Sequence, residues 1–276
     1  MFYDFNIPYP KHPNQEDLER LDRILSRIQS IQHGVVAFNV STSEPFTSKA
    51  VEPIKLDQFK RDGIQLLTRV TIEAEDTKKN YQMVLTNAAN QSVDILAARP
   101  LTLDAAKHTC QNHDVDIISI NCALKRVIPN HATIQVAISR GVFFEICYAQ
   151  SFHCKERALF FTNVKRLVEV TRGNNLIFSS EALRALDIRQ PSDLRMLGLL
   201  FGLRRDQVEA AVGHNYQRVL LKAETRKSTV NGTIRVDMKI PEGVAPSNTT
   251  DNDNKRKREQ DNPKTESKKK KKGKKQ

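Results

Sequence analysis

Seven short apolar runs recur along the first 180 residues, and more polar segments separate them. Most positions in these runs are aliphatic, β-branched or aromatic, without the alternation of apolar and polar residues that half-exposed strands show. Such runs predict strands that are buried on both faces, as in a parallel sheet. The predicted strands are FYDFNI (2–7), GVVAFNV (34–40), IQLLTRVTI (64–72), SVDILAA (92–98), VDIISIN (115–121), VFFEICY (142–148) and NLIFSS (175–180).

The segments between the runs carry helix signals. Asn14 is placed to cap a helix in which apolar residues recur at helical spacing from Leu18 to Ile31, and Gly34 ends it. Further helical segments are predicted over 55–61, 78–91, 102–112, 131–139 and 154–172. Because buried strands and helices alternate regularly, the sequence predicts an α/β fold in which about seven parallel strands form a TIM-like barrel.

The pattern changes after Ser180. Pro191 begins a helix that places Leu194, Leu197, Leu200 and Phe201 on one face, and two further helices begin near 202–206 and at 215. These helices are expected to cover the open side of the barrel. The apolar pattern fades beyond 225, so residues 1–230 are predicted to form the barrel with its capping helices. Residues 231–276 are predicted to be a disordered basic tail.

The positive charge of the chain is concentrated at its carboxyl end. The net charge is +12, and residues 225–276 contribute +9 of it, from 16 Lys and Arg against 7 Asp and Glu. This asymmetry favours a polyanionic partner, nucleic acid before membrane. The runs KRKR, at Lys255, Arg256, Lys257 and Arg258, and KKKKKGKK, at 268–275, also predict nuclear targeting.

Targeting and redox signals are sparse elsewhere. No run of 18 apolar residues exists, and the opening MFYDFNIPYP lacks the charged start and apolar centre of a signal peptide. We therefore expect a soluble intracellular protein. The four cysteines lack CxxC spacing and are expected to be reduced thiols with structural roles.

Glu145 is a charged residue inside the predicted strand 142–148. A carboxylate buried there without a partner would cost several kcal/mol or take up a proton. A structural ion pair with Arg140, or with a basic residue on a neighbouring strand, is one explanation. A catalytic role is the other, because perturbed carboxylates also occur in active sites.

Motifs for hydrolysis or metal binding are missing from the sequence. Catalytic groups of a TIM-like barrel lie where the strands end, and no HxH, HExxH or glycine-rich phosphate loop occurs at those positions. The stretch HTCQNH holds three ligand types, His108, Cys110 and His113. Their spacing across a helix end is not expected to bring them to one tetrahedral centre, so no metal site is predicted.

Several sequence blocks together resemble a known family. They are SRGVFFEICY (139–148), LGLLFGL (197–203), ETRKS (224–228), VVAFN (35–39), LLTRVTI (66–72) and VDILAA (93–98). In order and spacing they are similar to the thirty-kilodalton protein subunit family shared by eukaryotic ribonuclease P and ribonuclease MRP, which has archaeal relatives. The resemblance covers about residues 1–230.

The resemblance implies a barrel related to the polymerase and histidinol phosphatase superfamily. In that superfamily the first strand ends in a DxHxH-like motif, whereas this chain has Asp4, Asn6 and Pro8 at the matching positions. Two metal ligands are therefore missing, which implies that the chain binds no cofactor and is not itself an enzyme. A metal-dependent phosphoesterase of the same superfamily remains the alternative.

The resemblance also implies partners, a role and a location. The RNA subunit of the family's complexes performs the cleavage and is expected to hold Mg²⁺. The chain is expected to scaffold that RNA beside a smaller RNA-binding subunit and other protein subunits, and to contact precursor tRNA only indirectly. The implied function is transfer RNA 5′ end maturation and ribosomal RNA processing, in the nucleus and nucleolus.

Basic residues in or near the matching blocks are the candidates for contacting RNA or a partner subunit, because Lys and Arg neutralise phosphates. Arg140 has the alternatives of pairing with Glu145 or capping a helix, and cations at 226 and 227 also suit the carbonyl groups at a helix end. The candidates are Arg69, Arg140, Arg204, Arg205, Arg226 and Lys227.

Overall fold

The structure is a computed structural model that describes residues 1–44, 54–75, 88–125, 127–230 and 233–234. Residues Met1–Arg235 form one compact unit. Its seven-stranded sheet contains β1 (Phe2–Pro8), β2 (Gly34–Thr42), β3 (Ile64–Ala74), β4 (Ile95–Pro100), β5 (Ile117–Ser119), β6 (Phe143–Cys147) and β7 (Leu176–Ser179). The strands pair in chain order and are all parallel, as the apolar runs predicted.

Helices follow most of the strands. They are α1 (Gln15–Ile31), α2 (Leu103–Asn112), α3 (His131–Ser139), α4 (Gln150–His153), α5 (Arg157–Thr171), α6 (Pro191–Leu200), α7 (Arg205–Glu209) and α8 (Asn215–Ser228), and a short hairpin, β8 (Thr229–Val230) with β9 (Thr233–Ile234), comes last. The predicted helix at 154–172 corresponds to α5, which begins three residues later than predicted, and the short helix α4 precedes it. Of the predicted helix at 78–91, residues 78–87 lie outside the described residues, and a 3₁₀ segment occupies Ala88–Ser92.

The amino-terminal helix forms where its cap residue indicated. The Asn14 side chain accepts a hydrogen bond from the backbone N–H of Asp17, whose carboxylate accepts one from the N–H of Asn14. The apolar face of α1, including Leu21 and Ile28, is buried against the outer faces of β1 and β2. The helix is thereby fixed at the edge of the sheet where β1 lies.

Side chains, rather than a strand ladder, join β7 back to β1 among the described strands. The Oδ1 atom of Asp4 accepts hydrogen bonds from the backbone N–H groups of Asn6 and Ser180, both at 3.1 Å. The N–H of Glu181 donates to the carbonyl oxygen of Asn6 at 2.9 Å. The seven strands therefore form a nearly closed barrel.

The first residues of α8 take the place of a further strand. The side chain of Asn215 donates to the carbonyl oxygen of Leu176 at 2.8 Å, and the hydroxyl of Tyr216 donates to that of Phe178. Both carbonyls belong to β7. Two polar side chains of α8 thus satisfy backbone groups that buried strands must pair.

Helix α8 also covers the amino-terminal end of the barrel interior. The ring of Tyr216 stacks on Tyr3, with centroids 5.0 Å apart, and meets the edge of Phe5 at 4.8 Å. Val219 lies in the same apolar cluster as these rings. Helix α8 thus covers the barrel as predicted. Helices α6 and α7 instead pack against α5 and the outer face of β7.

One predicted core residue of α6 is exposed. Leu194 and Phe201 are buried, but Leu200 is 60% exposed and Met196 69%. Leu200 lies about 100° from Phe201 around the helix, which turns its side chain away from the core. Among the described residues, no helix is long and apolar enough to cross a membrane.

Candidate functional site

The barrel interior is divided into an apolar layer and a polar layer. Side chains alternate between the two faces of each strand, and the inward positions near the strand beginnings are apolar. The inward positions near the strand ends are polar and buried. The apolar layer contains Tyr3, Phe5, Val35, Ala37, Ile95, Ala97, Ile117, Phe143 and Ile177, and the polar layer contains Asn6, Asn39, Arg69, Thr71, Arg99, Ser119, Glu145, Cys147 and Ser179.

A completely buried ion pair lies at the centre of the polar layer. The two terminal nitrogens of Arg69 contact the two carboxylate oxygens of Glu145 at 2.5 and 2.8 Å, and both side chains have no exposed surface. Arg69 also donates to the carbonyl oxygen of Phe5 at 2.8 Å and to Thr71 at 3.1 Å. The bidentate geometry and additional acceptors are what a buried guanidinium requires.

This pair answers the question that Glu145 raised in the sequence. Burial alone would raise the pKa of Glu145, but the charge and hydrogen bonds of Arg69, helped by Ser119 and Ser179, outweigh burial and lower it to about 2. The partner is not Arg140, and it is not on a neighbouring strand. It lies on β3, across the interior from β6.

A second arginine pairs with a carboxylate where the strands end. Arg99 contacts Glu181 and donates to the hydroxyl of Ser119 at 2.9 Å, while the other Glu181 oxygen accepts from Gln150 at 2.7 Å. Burial would lower the pKa of Arg99, but Glu181, with Cys147 and Glu145, raises it above its usual value. Glu181 has a φ of 54°, a left-handed conformation that its contacts must hold in place.

The donor atoms left in the polar layer do not suit a metal cluster. The amide oxygen of Asn6 accepts from Asn39 at 2.7 Å, its nitrogen donates to Glu145 at 3.1 Å, and Pro8 offers no ligand atom. Glu145 is paired with Arg69, and Glu181 beside the layer is paired with Arg99. Over the described ranges, no three His, Cys, Asp or Glu side chains could hold a metal ion.

The carboxyl group of Asp4 is buried at the junction of β1 and β7. Its Oδ1 accepts two hydrogen bonds, whereas its Oδ2 is buried without a partner among the described residues. Burial, which outweighs the hydrogen bonds from Ser180 and Asn6, raises the pKa of Asp4 to about 6. At neutral pH the folded protein therefore holds a carboxylate that burial disfavours.

We expect Asp4→Asn to remove a pH-dependent loss of stability. The pKa of Asp4 is raised in the folded state, so its contribution is greatest when it is protonated and falls as pH rises from about 4 to above 6. The shift corresponds to about 2–3 kcal/mol. Urea titrations give the free energy of unfolding of the variant and of the native protein. The difference between them, variant minus native, should rise by this amount between pH 4 and pH 7. A difference that stays constant with pH would contradict the prediction.

The histidines of HTCQNH meet, but they do not form a metal site. The Nδ1 atom of His108 lies 3.2 Å from the Nε2 atom of His113, a contact that was not predicted. Cys110 does not join them: its thiol is buried, and burial raises its pKa to about 12. Burial, with the nearby charges of His108 and Arg140, lowers the pKa of His113 to about 4.

Arg140 anchors the end of α2. It donates to the carbonyl oxygens of Cys110 at 3.1 Å and His113 at 2.7 Å, and it pairs with Asp114 at 2.7 Å. The capping alternative is therefore confirmed, although for α2 rather than for the helix that precedes Arg140. Its side chain keeps 26% exposure, so an external contact stays a prediction.

Two of the predicted binding arginines are buried instead. Arg69 is enclosed in the barrel, and Arg226 is 7% exposed. From the last turn of α8, Arg226 contacts Asp116 at 3.0 Å and donates to the carbonyl oxygens of Val93 and Asp94. Neither side chain can reach an external RNA, so that prediction was wrong for both. Each sits in a matching block because the fold requires it.

The remaining candidates are at the surface. Arg204 and Arg205 are exposed, and Arg204 pairs with Asp206 at 3.0 Å. Lys227 is 39% exposed and contacts Asp94 at 2.6 Å. Contacts of these three residues with RNA or a partner stay predictions, and Lys255–Arg258 lie outside the described residues.

Arg99 and Glu181 directly follow the predicted strands 92–98 and 175–180, and no role was predicted for either residue. They are separated by 82 residues and belong to β4 and the segment after β7. The pair could have been predicted from the opposite charges at the ends of two strands, because all parallel strands end at the same edge of a barrel.

Comparison with known proteins identifies similar chains. The family model described as RNase P subunit p30 matches residues 1–228. "Ribonuclease P protein subunit p30" of Mus musculus is 32% identical over 231 residues, which are 77% of this chain and 84% of the mouse protein. "Ribonuclease P/MRP protein subunit RPP1" of Saccharomyces cerevisiae is 25% identical over 85% of this chain and 84% of the yeast protein.

Other matches differ in length or show the fold alone. "Protein GAMETOPHYTE DEFECTIVE 1" of Arabidopsis thaliana is 32% identical over 62% of this chain, but the match spans only 30% of that protein. A chain in a cryo-EM structure of archaeal ribonuclease P with mature tRNA superposes with a TM-score of 0.60, at 18% identity, over 85% of this chain and 97% of that chain. This likeness supports the barrel topology described above.

Proposed function

The chain belongs to the RNase P subunit p30 family, and from that membership we propose that it is a non-catalytic protein subunit of ribonuclease P and ribonuclease MRP. In these complexes it supports a catalytic RNA that matures the 5′ ends of transfer RNA and processes ribosomal RNA. Mg²⁺ required for cleavage is held on the RNA.

The polar layer of the barrel is the observation that carries the non-catalytic role. A metal-dependent phosphoesterase needs carboxylates or histidines free to bind cations, whereas Arg69 and Arg99 neutralise the carboxylates of this layer. The amide oxygen of Asn6 is also occupied. The residues at the strand ends thus stabilise a rigid barrel, and the phosphoesterase alternative loses its support.

The proposed partners follow from the family and from the charge. They are the RNA of each complex, a smaller RNA-binding subunit and further protein subunits, with precursor tRNA held indirectly. The basic carboxyl end adds attraction for a polyanion. We place the protein in the nucleus and nucleolus on the same grounds.

Purification through a tag on this chain tests the proposal. The RNA of each complex and a constant set of protein subunits should copurify, and sequencing should identify these RNAs. The purified material should cleave precursor tRNA, and nuclease treatment that removes the RNA should abolish cleavage. Cleavage that persists at the same rate without RNA would refute the non-catalytic role.

Deleting residues 251–276 should weaken nuclear accumulation without unfolding the barrel. The deletion removes 12 basic and 5 acidic residues, including both basic runs. Substituting Lys255, Arg256, Lys257 and Arg258 by Gln should give a similar redistribution of a fluorescent fusion. Thermal unfolding should match that of the full chain. An unchanged nuclear signal in both variants would contradict the targeting role.

A further inference from the structure

The described part of the chain has an uneven charge distribution. Residues 1–126 carry 15 Lys and Arg against 16 Asp and Glu, a net of −1, whereas residues 127–230 carry 15 against 9, a net of +6. The second segment includes α5 and α7. The positive charge of the barrel therefore resides in its second half.

Many cations of that half are already paired. Arg140 pairs with Asp114, Arg195 with Glu209 and Arg226 with Asp116. Such internal pairs reduce the charge that a partner can use. The available cations are those without a carboxylate partner.

Besides Lys155 and Arg157 at the beginning of α5, three exposed cations around α5 and α7 lack a carboxylate partner within the described residues: Lys165, Arg172 and Arg205. The nearby acids are engaged elsewhere, because Glu169 pairs with Arg166 at 3.2 Å and Asp206 with Arg204 at 3.0 Å. The three cations define the α5–α7 basic surface.

Two of these cations lie on or next to α5, and the third begins α7. Lys165 precedes Arg172 by seven residues, which is two helical turns and about 10 Å along α5. Arg172 follows the last residue of α5 with a φ of 54°, and its carbonyl oxygen accepts a hydrogen bond from Gln207 at 2.8 Å. That bond ties the end of α5 to α7, which Arg205 begins.

The junction between the two helices is tightly packed. Gly173 has a φ of 71°, which favours glycine, and a Cβ atom there would lie 2.4 Å from the terminal amide of Gln207. The hydrogen bond of Gln207 thus links the backbone beside Arg172 to the helix that Arg205 begins. Cations on a rigid support lose little conformational freedom when they bind.

We propose that the α5–α7 basic surface binds the phosphate backbone of the RNA component. The inference rests on the proposed function, since it names the surface through which this subunit meets its RNA. Exposed cations on one surface neutralise phosphates and position an RNA without reading its sequence.

Substituting the three cations by Gln tests the surface. The protein complex is purified through a tag on the full-length chain, freed of RNA and titrated with a transcript of the RNA that copurifies with the native chain. For Lys165→Gln, Arg172→Gln and Arg205→Gln combined, the slope of log affinity against log salt should fall by about 2–3, and affinity should fall at least about tenfold. Arg172→Lys with Arg205→Lys should retain the native slope, because phosphate contacts depend mainly on charge.

A matched variant distinguishes contact from long-range charge. Arg23, Arg27 and Lys55 are also exposed, and they lie on or near α1, in the half without excess positive charge. Replacing them by Gln changes the net charge equally and should leave the slope unchanged. Equal effects of the two triple variants, or no effect of either, would overturn the proposal.

Two further outcomes separate this inference from the proposed function. Loss of protein subunits with unchanged RNA affinity would assign the surface to a protein and overturn the inference alone. Failure of the native complex to bind any copurifying RNA would overturn the proposed function as well. Thermal unfolding of both triple variants, expected to be native-like, confirms that the fold is intact.

Discussion

Arg69→Met should destabilise the folded protein by about 3–5 kcal/mol, because it leaves the carboxylate of Glu145 buried and unpaired. Single domains are stable by about 5–15 kcal/mol, so the change removes a large share of the total. The pKa of Glu145, now about 2, should rise once Arg69 is gone. Urea unfolding measures the loss of stability. This loss should increase with pH, because Glu145 is then forced to ionise without a partner.

Changing both partners should recover much of the loss. Arg69→Met combined with Glu145→Gln removes both charges, while the Gln amide can still contact Asn6. A double-mutant cycle with the two single variants should give a coupling of at least about 1–3 kcal/mol. Additive effects would show that the pair contributes nothing to stability. RNA recovery should follow the folded fraction, because Arg69 cannot touch an external partner.

Arg226→Ala should destabilise the barrel and release α8 from the amino-terminal end of the barrel. The variant would leave Asp116 buried without its guanidinium partner and would uncap the carbonyl oxygens of Val93 and Asp94. Removing one member of a buried pair costs about 3–5 kcal/mol. Hydrogen exchange should report the change first in α8 and at the beginning of β4, as a loss of protection.

Lys227 provides the adjacent control. It pairs with Asp94, but the Lys227 side chain is 39% exposed, and partly exposed pairs contribute about 0–1 kcal/mol. Lys227→Ala should therefore leave unfolding and hydrogen exchange close to native. Equal destabilisation by the two substitutions would show that burial of Asp116 is not the cause.

The strands could be predicted because strands that are buried on both faces consist mostly of apolar residues. A strand such as Phe143–Cys147 has few polar positions, and Gly141, with a φ of 72°, marks the turn before it. Helix ends such as Asn14 were predictable because capping is local in sequence. The seam between β1 and β7 was not predictable, since Asp4 meets Ser180 only when distant parts of the chain come together.

In the candidate site, too, local features could be predicted from the sequence, but contacts between distant residues could not. The sequence indicated that Glu145 needs a cation, but its partner lies 76 residues earlier and three strands away across the interior. Arg69 and Arg226 were predicted to face RNA because basic residues in matching blocks suggest binding. Their burial depends on register and closure, which the residues beside them do not reveal.

The use of α8 in place of an eighth strand affects when the molecule can finish folding. Tyr216 donates a hydrogen bond to Phe178 and stacks on Tyr3. The barrel therefore cannot be completed until nearly all of the compact unit has been synthesised. Contacts between such distant positions slow folding, and a nascent chain that stops short of 215 leaves the edge of β7 unsatisfied. Truncated products of this protein should therefore be substrates for chaperones or proteases.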